Sequence, residues 1–199
     1  MTNDINEKDL KEFYDKGVLA LEKKNYDYAV EIFSQIVSSK YDHLEARHYL
    51  HLSSKNKAGD TKPSLITNVI NYINSFFGAL SAELLLKKGN IAGALEKLEK
   101  VIASNPNDTK AIKKIADIFY KNNQNYHAIQ NLEEVKAIDA NDVEALKKLG
   151  DLYLRKEDYK NAKSNYETAL KIDPGDTEAL KALKNLDALG TIQREFKNE

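Results

Sequence analysis

The sequence contains no cysteine and no tryptophan, and only one methionine. Without cysteine it has no disulfide framework, no thiol nucleophile and no thiolate-ligated zinc or iron–sulfur site. It has little charge of either sign in excess: 31 acidic against 30 basic side chains leave a net charge of −1. No broad single-sign field is therefore present to draw in nucleic acid or an anionic membrane. No phosphate-cradling glycine loop occurs, and no serine flanked by glycines in the manner of a nucleophile elbow. The four histidines are His43, His48, His51 and His127. His48 and His51 are three apart and could share a helix face, but no cysteine or well-placed carboxylate completes a metal site beside them. No catalytic residue, metal or cofactor is expected. The opening MTNDINEKDLKEF is polar with mixed charge, unlike a secretory signal, so a cytoplasmic location is the expectation.

Charge is also missing locally. From Pro63 to Ala82 there is no Asp, Glu, Lys or Arg, in a chain where 31% of residues are charged. The polar residues of this stretch, Ser64, Thr67, Asn68, Asn71, Asn74 and Ser75, recur every three or four positions, so it reads as an amphipathic helix with an uncharged stripe. Three asparagines argue against a membrane span. Three readings stay open: a helix wedged deeply between neighbours, a surface of Leu65, Ile66, Val69, Ile70 and Ile73 with Phe76 that a partner or a second copy covers, or a peripheral membrane contact.

What is present is a period. Four segments align, beginning at Phe13, Gly78, Ile112 and Leu146. In each, a small residue (Gly17, Ala82, Ala116, Gly150) precedes an alanine (Ala29, Ala94, Ala128, Ala162) by twelve positions, and the last three copies are spaced by 34. Apolar residues recur at helical spacing in two stretches separated by a short polar break such as KGN or KED, so each unit is a helical hairpin. Small residues let the two backbones approach closely. Asp108, Asp142 and Asp176 stand where a carboxylate caps the next helix, and Pro106 and Pro174 help stop the preceding one.

This pattern resembles the tetratricopeptide repeat. Residues 143–176 carry Leu146, Leu149, Gly150, Tyr153, Ala162, Tyr166, Ala169 and Pro174 at the family's signature positions. The resemblance implies an all-α fold: a right-handed α-solenoid of stacked antiparallel hairpins with a C-terminal capping helix. The expected organisation is a lead-in over 1–9, repeats over 10–43, 75–108, 109–142 and 143–176, a shortened and degenerate repeat over 44–74, a capping helix over 177–190, and a frayed or extended tail over 191–199. Within the degenerate repeat, AGDTKP turns the chain, Pro63 opens the second helix, and Asn74 caps the repeat that follows. Leu180, Leu183 and Leu186 cover the last hairpin.

The resemblance also implies a non-enzymatic adaptor that holds a protein or peptide partner on the row of first helices. The positions it assigns to that row are Phe76, Glu83 and Leu86, then Lys113, Asp117 and Tyr120, then Lys147, Asp151 and Leu154, then Lys181. Lys113, Lys147 and Lys181 form a ladder that either pairs with the aspartates four residues on or orients a partner. Family members that bind chaperone tails clamp a terminal carboxylate with Lys, Arg and Asn. Glu83, Asp117 and Asp151 stand against such a clamp here. Self-assembly through the uncharged degenerate repeat is the alternative function.

Overall fold

The structure, a computed structural model, describes residues 7–59 and 64–195. Among the described residues it is helical throughout, with no strand. The helices are α1 (Glu7–Glu22), α2 (Tyr26–Ser39), α3 (Leu44–Ala58), α4 (Leu65–Lys87), α5 (Ile91–Ser104), α6 (Thr109–Lys121), α7 (Asn125–Ile138), α8 (Val143–Arg155), α9 (Tyr159–Ile172) and α10 (Thr177–Glu195). The chain divides into two compact units, one ending at Ile118 and one beginning at Phe119.

Helix starts repeat because their caps repeat. Asp108, Asp142 and Asp176 each accept a bond from the amide three residues on, at 2.9–3.0 Å. His43 does the same for α3 through Nδ1, at 3.2 Å. The turn inside each hairpin passes through a left-handed residue: Lys24, Gly89, Asn123 and Glu157, with φ from 58° to 75°. Only one of these four is the glycine that such a φ favours.

Close helix crossing accounts for the small residues. Ala29, Ala94, Ala128 and Ala162 are fully buried. A Cβ on Gly17 would meet the Phe33 ring at 2.7 Å, and one on Gly150 would meet the Tyr166 ring at 2.6 Å. In unit 1, Phe33, Ile32 and Ile36 of α2 pack with Ala46 and Leu50 of α3, while Tyr14 and Tyr49 flank the Phe33 ring. In unit 2, Leu146, Ala162, Tyr166 and Ala169 close on Ala179 and Leu186 of α10.

The degenerate repeat differs from expectation. Asn74 caps nothing: it lies inside α4, which runs unbroken for 23 residues from a Ser64 cap. The reason is local. The other repeat boundaries carry NPND, DAND and DPGD, with proline, glycine or aspartate to stop one helix and cap the next. The corresponding residues 71–74 read NYIN and offer no breaker. Gly59, at φ 64°, ends α3. Pro63 and most of the expected AGDTKP turn lie outside the described residues.

Because residues 65–74 continue α4 and do not fold back, α3 has no returning helix of its own. Helix α5 lies against α3 and α2 as well as against α4. The N-terminal half of α4 is left uncovered: Leu65 is 85% exposed, Ile66 73% and Val69 58%. The reading of a helix wedged between neighbours is therefore overturned.

The cap also departs from its expected form. Helix α10 continues through Gly190 to Glu195, so residues 191–195 are helical and not a frayed tail. Ala179 and Leu186 cover the last hairpin, Leu183 is half-buried, and Leu180 faces outward.

Two substitutions test this packing. Gly150→Ala drives a methyl into the Tyr166 ring and lowers unfolding stability by about 1–3 kcal/mol. Glu157→Gly relieves a left-handed residue on the surface and raises stability by about 1 kcal/mol. Denaturant titration of both variants reads the opposite signs directly.

Candidate functional site

Three places in the fold hold side chains that the packing alone does not explain. The first is the bare face of α4. Most of the exposed large hydrophobic side chains among the described residues lie on this one helix, including all five residues expected as an interface: Leu65, Ile66, Val69, Ile70 and Ile73. Phe76 and Leu86, expected on the first-helix row, are exposed on α4 too, at 57% and 38%. The C-terminal half of α4 packs on α5, where Gly78 is required because a Cβ there would sit 2.3 Å from Val101. By length and composition α4 could cross a membrane. Its packed partner α5 carries Lys97 and Lys100 outward, which charges the hairpin over the half of α4 that is covered.

The second place is a buried ionic triad in unit 1. Glu99 of α5 takes Arg47 of α3 at 2.5 Å through one oxygen and His51 Nε2 at 2.8 Å through the other. Arg47 also donates to the Tyr41 carbonyl oxygen at 2.5 Å. All three side chains are almost fully buried. Burial opposes the charge on Glu99 most strongly, but the Arg47 guanidinium and then His51 outweigh it and hold the carboxyl below its ordinary value. His48 is exposed against Tyr49, so the two histidines do not converge. The Arg47 guanidinium faces the other oxygen of His51's carboxylate partner. Sequence reasoning passed over this triad. The signal was a glutamate set among Leu95, Leu98 and Ile102 on an apolar helix face.

The third place is the row of first helices, whose assigned residues fall in both units. In unit 1, Glu83 reaches Lys114 at 3.9 Å, and Lys113 and Asp117 are half-buried on α6. In unit 2 the expected ladder of Lys and Asp four apart is not what forms. Lys147 bonds Asp176 at 2.8 Å and Glu178 at 2.7 Å, at the head of α10. Those two carboxylates raise the Lys147 pKa, and the Lys147 bond lowers that of Asp176. Asp151 accepts from the Tyr166 hydroxyl at 2.5 Å, and burial, then that carboxylate, raises the tyrosine's pKa. The Tyr120 ring lies under the Arg155 guanidinium, 4.7 Å from the ring centre, and its hydroxyl accepts from Arg155 at 2.5 Å. Leu154 is half-buried on the same helix as Arg155. Lys181 is exposed and lines a shallow surface hollow of about 320 Å³ with Leu180, Lys184 and Asn185.

A family model described as tetratricopeptide repeat matches residues 143–176, and a second model of that description matches residues 85–152. Residues 85–176 are tetratricopeptide repeats. No curated protein matches its sequence. Solved structures share its fold. The first TPR of Spaghetti (RPAP3), bound to an HSP90 peptide SRMEEVD, superposes with a TM-score of 0.54 at 16% identity over 59% of this chain and 94% of that one. The second TPR domain of human RPAP3, in complex with an HSP70 peptide, gives 0.52 at 18% over 59% and 98%. The P58(IPK) TPR domain gives 0.57 at 16%, over 95% of this chain and 58% of that one. The repeat is a protein-interaction module rather than an enzyme fold.

The triad gives a stability prediction. Glu99→Gln leaves Arg47 buried without its counter-charge and costs about 3–5 kcal/mol. Glu99 ionises below its unfolded-state value, near 4.3. Its contribution is therefore complete above about that pH and disappears as pH falls through the lower folded-state value. Unfolding curves from pH 7 to pH 3 should show the intact repeat protein losing more stability than Glu99→Gln does.

Proposed function

We propose that this repeat protein is a non-enzymatic scaffold that docks a peptide or folded protein on the first-helix row of unit 2. The observation that carries the reading is the Tyr120–Arg155 pair. An aromatic ring fixed from above by a guanidinium is an anchor that loses little freedom on binding. The polar neighbours are held as well, since Lys147 is occupied by Asp176 and Glu178. The surface thus offers shape and hydrogen bonding more than net charge. The HSP90 and HSP70 peptides held by the RPAP3 neighbours support a peptide-docking use of such a row. A terminal-carboxylate clamp is disfavoured here, because Asp151 is already committed to Tyr166 and repels a second carboxylate. Self-assembly is a second reading, favoured by the exposed apolar face of α4.

Pull-down from native lysate with the intact chain and with Tyr120→Ala/Lys147→Glu tests the docking surface. A protein recovered by the intact chain should be lost or reduced at least tenfold with the variant, about 1.4 kcal/mol in binding. Identical recovered sets would place the partner elsewhere.

A further inference from the structure

We propose that the N-terminal arm of α4 pairs with the same arm of a second copy, as an antiparallel two-helix seam about a two-fold axis close to Ile73. The inference rests on reading α4 as an interaction face and names its occupant.

Several observations point to a second copy. The exposed residues Ile66, Val69, Ile73, Phe76 and Leu80 follow an alternating three–four spacing, the spacing by which two helices interlock side chains along a seam. The arm also has poor reasons to be helical by itself. Ile66, Thr67, Val69, Ile70 and Ile73 are β-branched, and short unsupported helices of that kind do not persist in water. Something must cover them.

The chain's own unit offers no berth, because α5 lies on α3 through Glu99, which engages Arg47 and His51, and Ser53 and Ser54 of α3 are already buried. A membrane is a poor alternative. The segment from Leu65 to Phe77, ahead of the half packed on α5, is about 20 Å long and cannot span the hydrocarbon layer. No basic residue lies between Leu65 and Ala82 to hold it on an anionic surface.

Charge and exposure complete the case. In a two-fold interface residue i faces residue j of the other copy while j faces i, and only residues at the axis meet themselves. A charge buried in the seam would therefore need an opposite charge at the matching position. The stretch from Pro63 to Ala82 has none, and the first charges, Glu83 and Lys87, fall beyond the seam. The five seam residues Ile66, Val69, Ile73, Phe76 and Leu80 are each at least 45% exposed, a contiguous apolar stripe of the kind that marks an interaction site. Asn68, Asn71 and Asn74 then serve as uncharged flanks that fix register by hydrogen bonding.

Sedimentation equilibrium and thiol cross-linking test the pairing, and the cysteine-free chain makes a single introduced thiol unambiguous. The expected mass is twice the 22.5 kDa of one chain. Ile66→Asp/Ile73→Asp, at exposed positions, should return it to monomer, with helical circular dichroism lowered by no more than the arm of about ten residues that is left uncovered. Ile73→Cys should cross-link to dimer with a short bismaleimide, whereas Lys171→Cys, on α9, should not. A monomer at all concentrations, with Ile73→Cys uncross-linked, overturns the inference. If that monomer sediments with phosphatidylcholine vesicles, α4 is an interaction face for lipid and the underlying reading survives. If it ignores vesicles, both fail.

Discussion

The close approach of helix backbones at alanine and glycine is the constraint on which the rest of this structure depends. A ring packed where a Cβ would otherwise stand, Phe33 over Gly17 and Tyr166 over Gly150, fixes how two helices cross. Once the crossing is fixed, the capping aspartates and the left-handed turn residues fall at matching places in successive hairpins. The apolar residues that remain have one consistent side to bury. Larger side chains at those few positions would separate the helices and open the core on both sides.

The same constraint shows what happens where the pattern lapses. Between α3 and α5 the chain lacks the breaker that would fold residues 65–74 back. The following helix takes the vacant place, and the contact it makes is ionic as well as apolar. Glu99 faces Arg47 and His51 in a buried setting where a hydrocarbon side chain would serve stability equally. The triad fixes which helix docks on α3, because a charge left unpaired there is heavily penalised. The residues displaced by this arrangement become the most exposed apolar surface among the described residues.

The hairpins, their small residues and their caps were legible in the sequence because each rests on local, periodic chemistry: Ala94, Ala128 and Ala162, or Asp108, Asp142 and Asp176, repeat at one interval. The fusion of residues 65–74 into α4 was less legible. The interval predicts a boundary at Asn74, and only the lack of Pro, Gly or Asp in NYIN argues against it. The ion pairs of unit 2 were misjudged for a different reason. Lys147 lies four residues from Asp151 on its own helix, yet it reaches Asp176 and Glu178 on α10, and Asp151 turns to Tyr166. Pairing between helices depends on packing distances that spacing along one helix does not contain. Residues assigned to the first-helix row from the resemblance stand on the expected helices, while their chemistry is set by these neighbours.

The central claim is that residues 65–87 form one straight helix whose first half leaves the hairpin stack. Spin labels at Ile66→Cys and Leu84→Cys, in labelled chain diluted with unlabelled chain, measure it. Eighteen residues of continuous helix separate the backbone sites by about 27 Å. A distance distribution centred near that value is the expected result. A distribution concentrated well below about 20 Å, as a chain folded back at Asn74 would give, would contradict the account.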